Sequence, residues 1–403
     1  MSLNETVSAE RLHIAFFGKR NAGKSSLVNA VIGQKLAVVS DVPGTTTDPV
    51  KKAMELLPLG PVVIIDTPGY DDAGALGELR VEKTNGILNK TDIAVLVYDA
   101  AVGLSGEDLA LLEKLRARKL PVVLAANKWD LASAGAANSR PPAGEAPMLV
   151  SALTGEGIKE LKERLAALGR SAKEPKYILA DLVKQGDVVI LVTPIDESAP
   201  RGRLILPQQL TLRELLDLHC VPVCCQVEEL PTLLDNLKTP PRLVVTDSQA
   251  FGRVSPLVPV SIPLTSFSIL FARYKGQLST LAAGAKALSR LKDGDRVLIS
   301  EGCTHHRQCN DIGSVKIPGW VRNYSGKTLD FSFSSGGEFP EDLSGFALVI
   351  HCGGCMLNEA AMQHRIRTAE ACGVPIVNYG MAIAQMHGIL DRSLEPFAKE
   401  LSE

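Results

Sequence analysis

The 403-residue sequence lacks an excess of either charge, with 43 Lys and Arg against 45 Asp and Glu, so no overall basic field points to nucleic acid or an anionic membrane. It lacks the ~18–20 uninterrupted apolar residues that a membrane helix needs. The amino-terminal stretch MSLNETVSAERLH has no basic segment followed by an apolar core, so no secretory leader is expected and the cytoplasm is the expected compartment. Histidine is scarce, at seven residues, which disfavours a histidine-rich carrier of a metal such as nickel. Gly and Pro, at 34 and 24, are too few and too irregular for a fibrous repeat. What remains is a globular composition, 45% hydrophobic and 22% charged, long enough for two or three domains.

Residues 11–17 form a short apolar run. It is followed by GKRNAGKSS and then by the helix-compatible LVNAVIG. Strand, glycine-bracketed loop and helix are the context that a phosphate-binding loop requires. Gly18, Asn21, Ala22, Gly23, Lys24, Ser25 and Ser26 would cradle the phosphates: the glycines let backbone N–H groups curl inward, Lys24 reaches the β/γ oxygens and Ser25 binds Mg²⁺. Val62–Ile65 reads as a buried strand ending in Asp66-Thr67-Pro68-Gly69, where Asp66 would hold the Mg²⁺ shell and the Gly69 N–H would meet the γ-phosphate. The intervening loop, PGTTTD, supplies Thr46 to close over the metal. Pro121–Ala126 is a further strand, ending in Asn127-Lys128-Trp129-Asp130. A carboxylate at Asp130 accepts from guanine N1–H and the exocyclic amine, which adenine cannot match. Ser151 and Ala152, after the short strand Met148–Val150, would bring a backbone N–H to guanine O6. Four pieces in this order predict a GTP-binding α/β domain, with Lys24, Thr46 and Gly69 carrying hydrolysis.

These residues resemble the bacterial GTPases related to Era and the tRNA-modification GTPase MnmE. In that group an asparagine at the place of Asn21 accompanies a potassium ion, so the resemblance implies K⁺ stimulation. Tyr70 stands where Ras-like enzymes carry a water-orienting Gln, so unassisted hydrolysis is expected to be slow.

The pattern fades near Leu168-Gly169, and KEPKY (173–177) reads as a linker. We place a GTP-binding domain at 1–172, an α/β docking or dimerisation domain at 178–262 and a third α/β domain at 263–403. In the middle domain, Cys220, Cys224 and Cys225 lie beside His219 in the apolar run LHCVPVCCQV and are read as core packing. In the third, 264–291 reads as one helix or two broken near Gly276. Arg296–Ser300 is a strand leading to Cys303, His305 and His306, and Phe346–Ile350 is a second strand leading to His351, Cys352 and Cys355. Both groups sit where parallel strands end, the usual ligand crevice of an open α/β sheet. Three thiolates with an exchangeable fourth ligand suit an iron–sulfur cubane, and three thiolates with a histidine suit structural zinc. Composition leaves the two open. Cys309 and Cys372 are spare.

Cys303-x-His305, 45 residues, then His351-Cys352-x-x-Cys355 is similar to the signature of the HydF family, the maturation GTPases of FeFe hydrogenases. The resemblance spans nearly the whole chain. It implies a 4Fe-4S cluster on Cys303, Cys352 and Cys355, with His305 and His351 as further ligand candidates and Asp196 as an outside one. It also implies a homodimer through 178–262 and a scaffold that takes a diiron precursor from HydE and HydG and delivers it to the hydrogenase HydA. The other reading is an Era- or MnmE-like GTPase of ribosome assembly or tRNA modification with a zinc site. Residues 264–403 hold 14 Lys and Arg against 14 Asp and Glu, without the basic excess that RNA binding favours.

Overall fold

The computed structural model describes residues 9–33, 49–69, 86–132, 146–171, 176–195, 202, 204–302, 311–336 and 338–402. The chain divides into two compact units, 1–175 and 176–403.

The first unit is a six-stranded sheet in the order β2-β3-β1-β4-β5-β6. Its strands are β1 (Leu12–Phe17), β2 (Val50–Leu56), β3 (Gly60–Asp66), β4 (Ile93–Asp99), β5 (Val122–Asn127) and β6 (Met148–Leu149). Only β2 runs antiparallel, beside β3. The continuous apolar runs of β1 and β4 are what a parallel strand covered on both faces demands. Successive side chains serve opposite cores. Ile14, Phe16, Val95 and Val97 pack with Leu27 and Val31 of helix Lys24–Ile32 and with Leu161 and Leu165 of helix Ile158–Ser171. Ala15, Phe17, Ala94 and Leu96 pack with Leu111, Leu112 and Leu115 of helix Gly106–Ala117. That helix starts on a capping box in which Ser105 and Asp108 satisfy each other's backbone N–H, at 2.8 and 3.3 Å.

The second unit holds two four-stranded, all-parallel sheets, β10-β9-β7-β8 and β12-β11-β13-β14. The strands are β7 (Val188–Val192), β8 (Val221–Cys225), β9 (Leu243–Thr246), β10 (Leu264–Ser266), β11 (Arg296–Ser300), β12 (Asp330–Ser334), β13 (Leu348–His351) and β14 (Ile376–Asn378). Each sheet repeats one topology: the second strand lies outside the first, and the third and fourth continue on its other side. Such an order reverses between the first and third strands, and the crevice at their carboxyl ends is where ligands bind. In the second sheet that reversal lies between β11 and β13. The two sheets share one continuous hydrophobic core.

Residues 264–291 form two helices with the expected break at Gly276, but their start is not helical. Leu264–Ser266 is strand β10, with Ser266 capping helix Phe267–Lys275 through the Ile269 N–H, and the chain breaks at Gly276 before helix Leu278–Lys286. Cys220 and Cys225 are buried as expected for core residues, whereas Cys224 is exposed on β8, an edge strand whose outer face lies at the surface. Cys372 is partly buried against the core. Among the described residues no helix is long and apolar enough to cross a membrane.

Candidate functional site

The phosphate loop joins β1 to helix Lys24–Ile32. Its backbone is left-handed at Asn21 (φ 61°) and Gly23 (φ 81°). A Cβ on Gly23 would stand 2.3 Å from the Asn127 side-chain nitrogen, and one on Gly18 would stand 2.1 Å from the Val97 carbonyl oxygen. Both positions therefore require glycine. Lys24 is buried, and its ammonium donates to the Lys19 carbonyl at 2.7 Å, inside the loop that it serves.

Parallel pairing of β1 with β3 sets Phe16 opposite Asp66, so the carboxylate arrives next to the loop. The Ser25 hydroxyl donates to Asp66 Oδ2 at 2.6 Å. Asp66 is fully buried, and its Oδ1 has no hydrogen-bond partner among the described residues. Burial raises its pKa, and the Ser25 hydroxyl and the Lys24 charge only partly offset that rise. A buried carboxylate with an unused oxygen beside a serine hydroxyl is a donor set for a hard divalent cation. Thr67 fastens this corner, its hydroxyl donating to the Phe16 carbonyl at 2.8 Å. Gly69 follows as a buried residue, while Thr46 and Tyr70 lie outside the described residues.

The base side assembles around Asn127, buried at the end of β5. Its amide nitrogen donates to the Ala22 carbonyl at 3.0 Å, and its Oδ1 accepts from the Ala152 N–H at 3.1 Å, so one side chain ties the phosphate loop to the Ser151–Ala152 turn. Lys128 adopts φ 61° and donates to Asp99 Oδ2 at 2.8 Å. Asp130 is exposed and accepts from the Ser151 hydroxyl at 2.5 Å. Asp99 and Thr67 were not foreseen from sequence. Asp99 had a usable signal, an acidic residue at the carboxyl end of the strand preceding the Asn127 strand.

In the second unit, register brings two strand tips together. Ser300 pairs with His351, and the Cys352 N–H donates to the Ser300 carbonyl at 2.9 Å. Cys352 Sγ accepts from the N–H groups of Gly302 at 3.0 Å and Gly354 at 3.4 Å. Burial, then the neighbouring Cys355, pushes the Cys352 thiol up to about 11, against the pull of those two N–H groups and of Arg365. Cys355 is likewise raised by burial, with the Lys275 charge opposing. Paired thiols that resist ionisation alone yet receive N–H bonds at sulfur are suited to a metal, whose charge makes the thiolate outright.

His351 is fully buried. Its Nδ1 donates to the Cys352 carbonyl at 2.6 Å and its Nε2 accepts from Arg365 at 2.7 Å, and burial with the Arg365 charge pushes its pKa down to about 3. Both ring nitrogens are thus engaged, an arrangement that orients the Cys352 loop. Cys303, His305, His306 and Cys309 lie outside the described residues, as does Asp196. Among the described residues no three His, Cys, Asp or Glu side chains group as a metal site. Gly302, one residue before Cys303, already contacts the Cys352 sulfur. Arg365, Lys275 and Glu301 crowd this corner without having been singled out in the sequence.

The phosphate loop, the buried Asp66 and the Asn127–Asp130 turn define a P-loop GTPase, a class that binds GTP and GDP with Mg²⁺ and hydrolyses GTP. The 50S ribosome-binding GTPase family matches residues 13–128. A hydrogen maturase F dimerization domain matches 178–276, and a hydrogen maturase F tetramerization domain matches 279–396. The chain belongs to the HydF family of hydrogenase maturation GTPases, and it carries that family's oligomerization domains.

Among curated relatives, the tRNA modification GTPase MnmE of Clostridioides difficile is 35% identical over 162 residues, 40% of this chain and 35% of that protein. GTPase Der of Rhizobium leguminosarum is 34% identical over 195 residues, 47% of this chain and 39% of that protein. The chain therefore spans well under half the length of these relatives. Among solved structures, Aquifex aeolicus Era bound to GDP.AlF4- is 17% identical, covering 80% of this chain and 93% of that one at a TM-score of 0.35.

Proposed function

We propose that this maturation GTPase is a cytoplasmic scaffold that holds a 4Fe-4S cluster on Cys303, Cys352 and Cys355, takes up a diiron precursor as cargo and delivers it to FeFe hydrogenase. By family resemblance the donors of the precursor are HydE and HydG and the acceptor is HydA. The observation that supports this reading is the meeting of two strand tips, where the Gly302 N–H donates to Cys352 Sγ at 3.0 Å beside the Cys352–Cys355 loop. When bound, the cluster would supply an iron site able to accept an exchangeable ligand. The chain's own part is to present thiols at a buried corner, with His351 and the glycine N–H groups fixing the loop.

In the first unit, Lys24, Ser25, Asp66 and Gly69, with Thr46, would bind Mg²⁺ and the phosphates and Asp130 would select guanine. Asn21 would complete a K⁺ site that accelerates otherwise slow hydrolysis. Loss of the γ-phosphate would release the loops around Thr46 and Gly69, an order–disorder change suited to switching partners. A homodimer formed through residues 178–262 would be the carrier. Hydrogenase activation is the test: reconstituted full-length protein, loaded by the HydE and HydG reactions, is mixed with cluster-poor HydA and hydrogen evolution is followed. Activation by the wild type that is lost in Cys352→Ala is expected. Equal activation by Cys352→Ala would overturn the scaffold reading.

A further inference from the structure

We propose that Asp99 is a positioning residue of the GTP site. It anchors the Lys128 ammonium, so that the lysine stem already lies against the phosphate loop, beside the base-recognition turn, when a guanine nucleotide arrives. This rests on the nucleotide reading of the first unit given above.

Asp99 ends β4, and the register of β4 with β5 sets it opposite Asn127, one residue before Lys128. The Ala100 N–H donates to the Asn127 carbonyl at 2.8 Å, which ties the two strand tips together. The chain then turns. The Asp99 carbonyl accepts from the Val102 N–H at 3.1 Å and the Gly103 N–H at 2.9 Å, and Asp99 Oδ1 accepts from the Ala101 N–H at 2.9 Å. An aspartate that closes onto the backbone two residues ahead has its own side chain fixed by the turn. Its other oxygen, Oδ2, is left to face the neighbouring strand tip, where it accepts from Lys128 Nζ at 2.8 Å. The lysine and aspartate side chains are 32% and 22% exposed, so the pair is partly shielded from water.

Lys128 is set up to meet this carboxylate. Its backbone is left-handed, at φ 61°, a conformation that is costly for any residue with a side chain and persists where the surroundings impose it. Here the chain is held on both sides: the Asn127 amide donates to the Ala22 carbonyl at 3.0 Å, and the Trp129 N–H donates to the Val150 carbonyl at 3.1 Å. Between backbone and ammonium the stem passes the phosphate loop, with Lys128 Cε 3.9 Å from where a Cβ on Gly23 would stand. A free lysine stem is long and flexible, and ordering it opposes binding. With Asp99 holding the far end, that ordering belongs to folding, and the nucleotide meets a side chain already in place.

Isothermal titration of the full-length protein with GDP and with a non-hydrolysable GTP analogue, in the presence of Mg²⁺, tests this. Asp99→Asn keeps an oxygen for the Ala101 N–H and removes the charge that Lys128 meets. Both nucleotides share the base, so they should weaken by the same factor, about threefold or more, as expected for coupled contacting residues. In a Lys128→Met background, which keeps the stem and deletes the ammonium, Asp99→Asn should cause no further loss. Asp99→Ser, whose hydroxyl can also close the turn, should repeat this pattern and decides the matter if the asparagine variant does not fold. Three results would overturn the proposal: a lower melting temperature with unchanged affinity, a loss confined to the GTP analogue, or equal losses in both Lys128 backgrounds. Wild-type protein that binds neither nucleotide would fell the nucleotide reading itself, and this inference with it.

Discussion

At the scale of single residues, Asp130 is exposed and held by the Ser151 hydroxyl, so it is aimed at a ligand. Hydrogen bonds to a charged group contribute about 1.5–3 kcal/mol each. Asp130→Asn, which presents a donor to the guanine amine, should therefore weaken GTP by at least about tenfold and favour xanthosine triphosphate, as read by competitive nucleotide titration. Asp66 works by opposite physics, a carboxylate buried where its charge is costly until Mg²⁺ arrives. Its folded pKa is raised above the unfolded value, so the folded state binds the extra proton between the two. Without metal, stability therefore falls as pH rises through that window. Asp66→Asn should raise the melting temperature of the nucleotide-free protein at pH values above that window and flatten that pH dependence, while weakening Mg²⁺-dependent GTP binding. Asn21→Gly keeps the left-handed backbone and removes the amide, so it should abolish any advantage of K⁺ over Na⁺ in GTP turnover. Much of this site was legible because the phosphate loop and the Asn127–Asp130 motif encode local geometry in local sequence. Asn127 also bridges to Ala22 across 105 positions, and Arg365 to Ser300 across 65, contacts that no window along the chain displays.

At the scale of elements, the buried parallel strands announced themselves as short apolar runs: β11 falls at the residues expected, and β13 begins two residues later than expected. The edge strands did not. β12 (DFSFS) alternates with polar residues, β2 (VKKAMEL) carries Lys51 and Glu55 on its exposed face, and β8 lay hidden in a cysteine-rich apolar run. An edge strand has one partner and one exposed side, so its sequence resembles a turn or loop as much as a strand. Helix Leu278–Lys286 packs against β14 at Gly284, where a Cβ would stand 1.9 Å from the Ile376 carbonyl oxygen. Gly284→Ala should destabilise the second unit by about 1–3 kcal/mol, the range of an overpacked core, despite alanine's better helix propensity. Thermal unfolding followed by circular dichroism measures it, and an unchanged or raised melting temperature would show that the helix can move away.

At the scale of the whole molecule, a nucleotide-binding unit is joined to a unit in which two sheets of one topology share a core. The second sheet carries cysteines at its reversal point, and the described part of the first offers no matching set of thiols there. The spacing from Cys303 to Cys355 resembles the family's signature, whereas composition leaves these cysteines balanced between zinc and a cluster. The most direct test is the anaerobic iron and sulfide content of reconstituted wild type, Cys303→Ala, Cys352→Ala and Cys355→Ala, with EPR after reduction. We expect about four iron atoms per wild-type chain and a reducible signal that each substitution diminishes or removes. Full, spectroscopically unchanged clusters in all three variants, or a colourless wild type holding one tight zinc, would contradict the account.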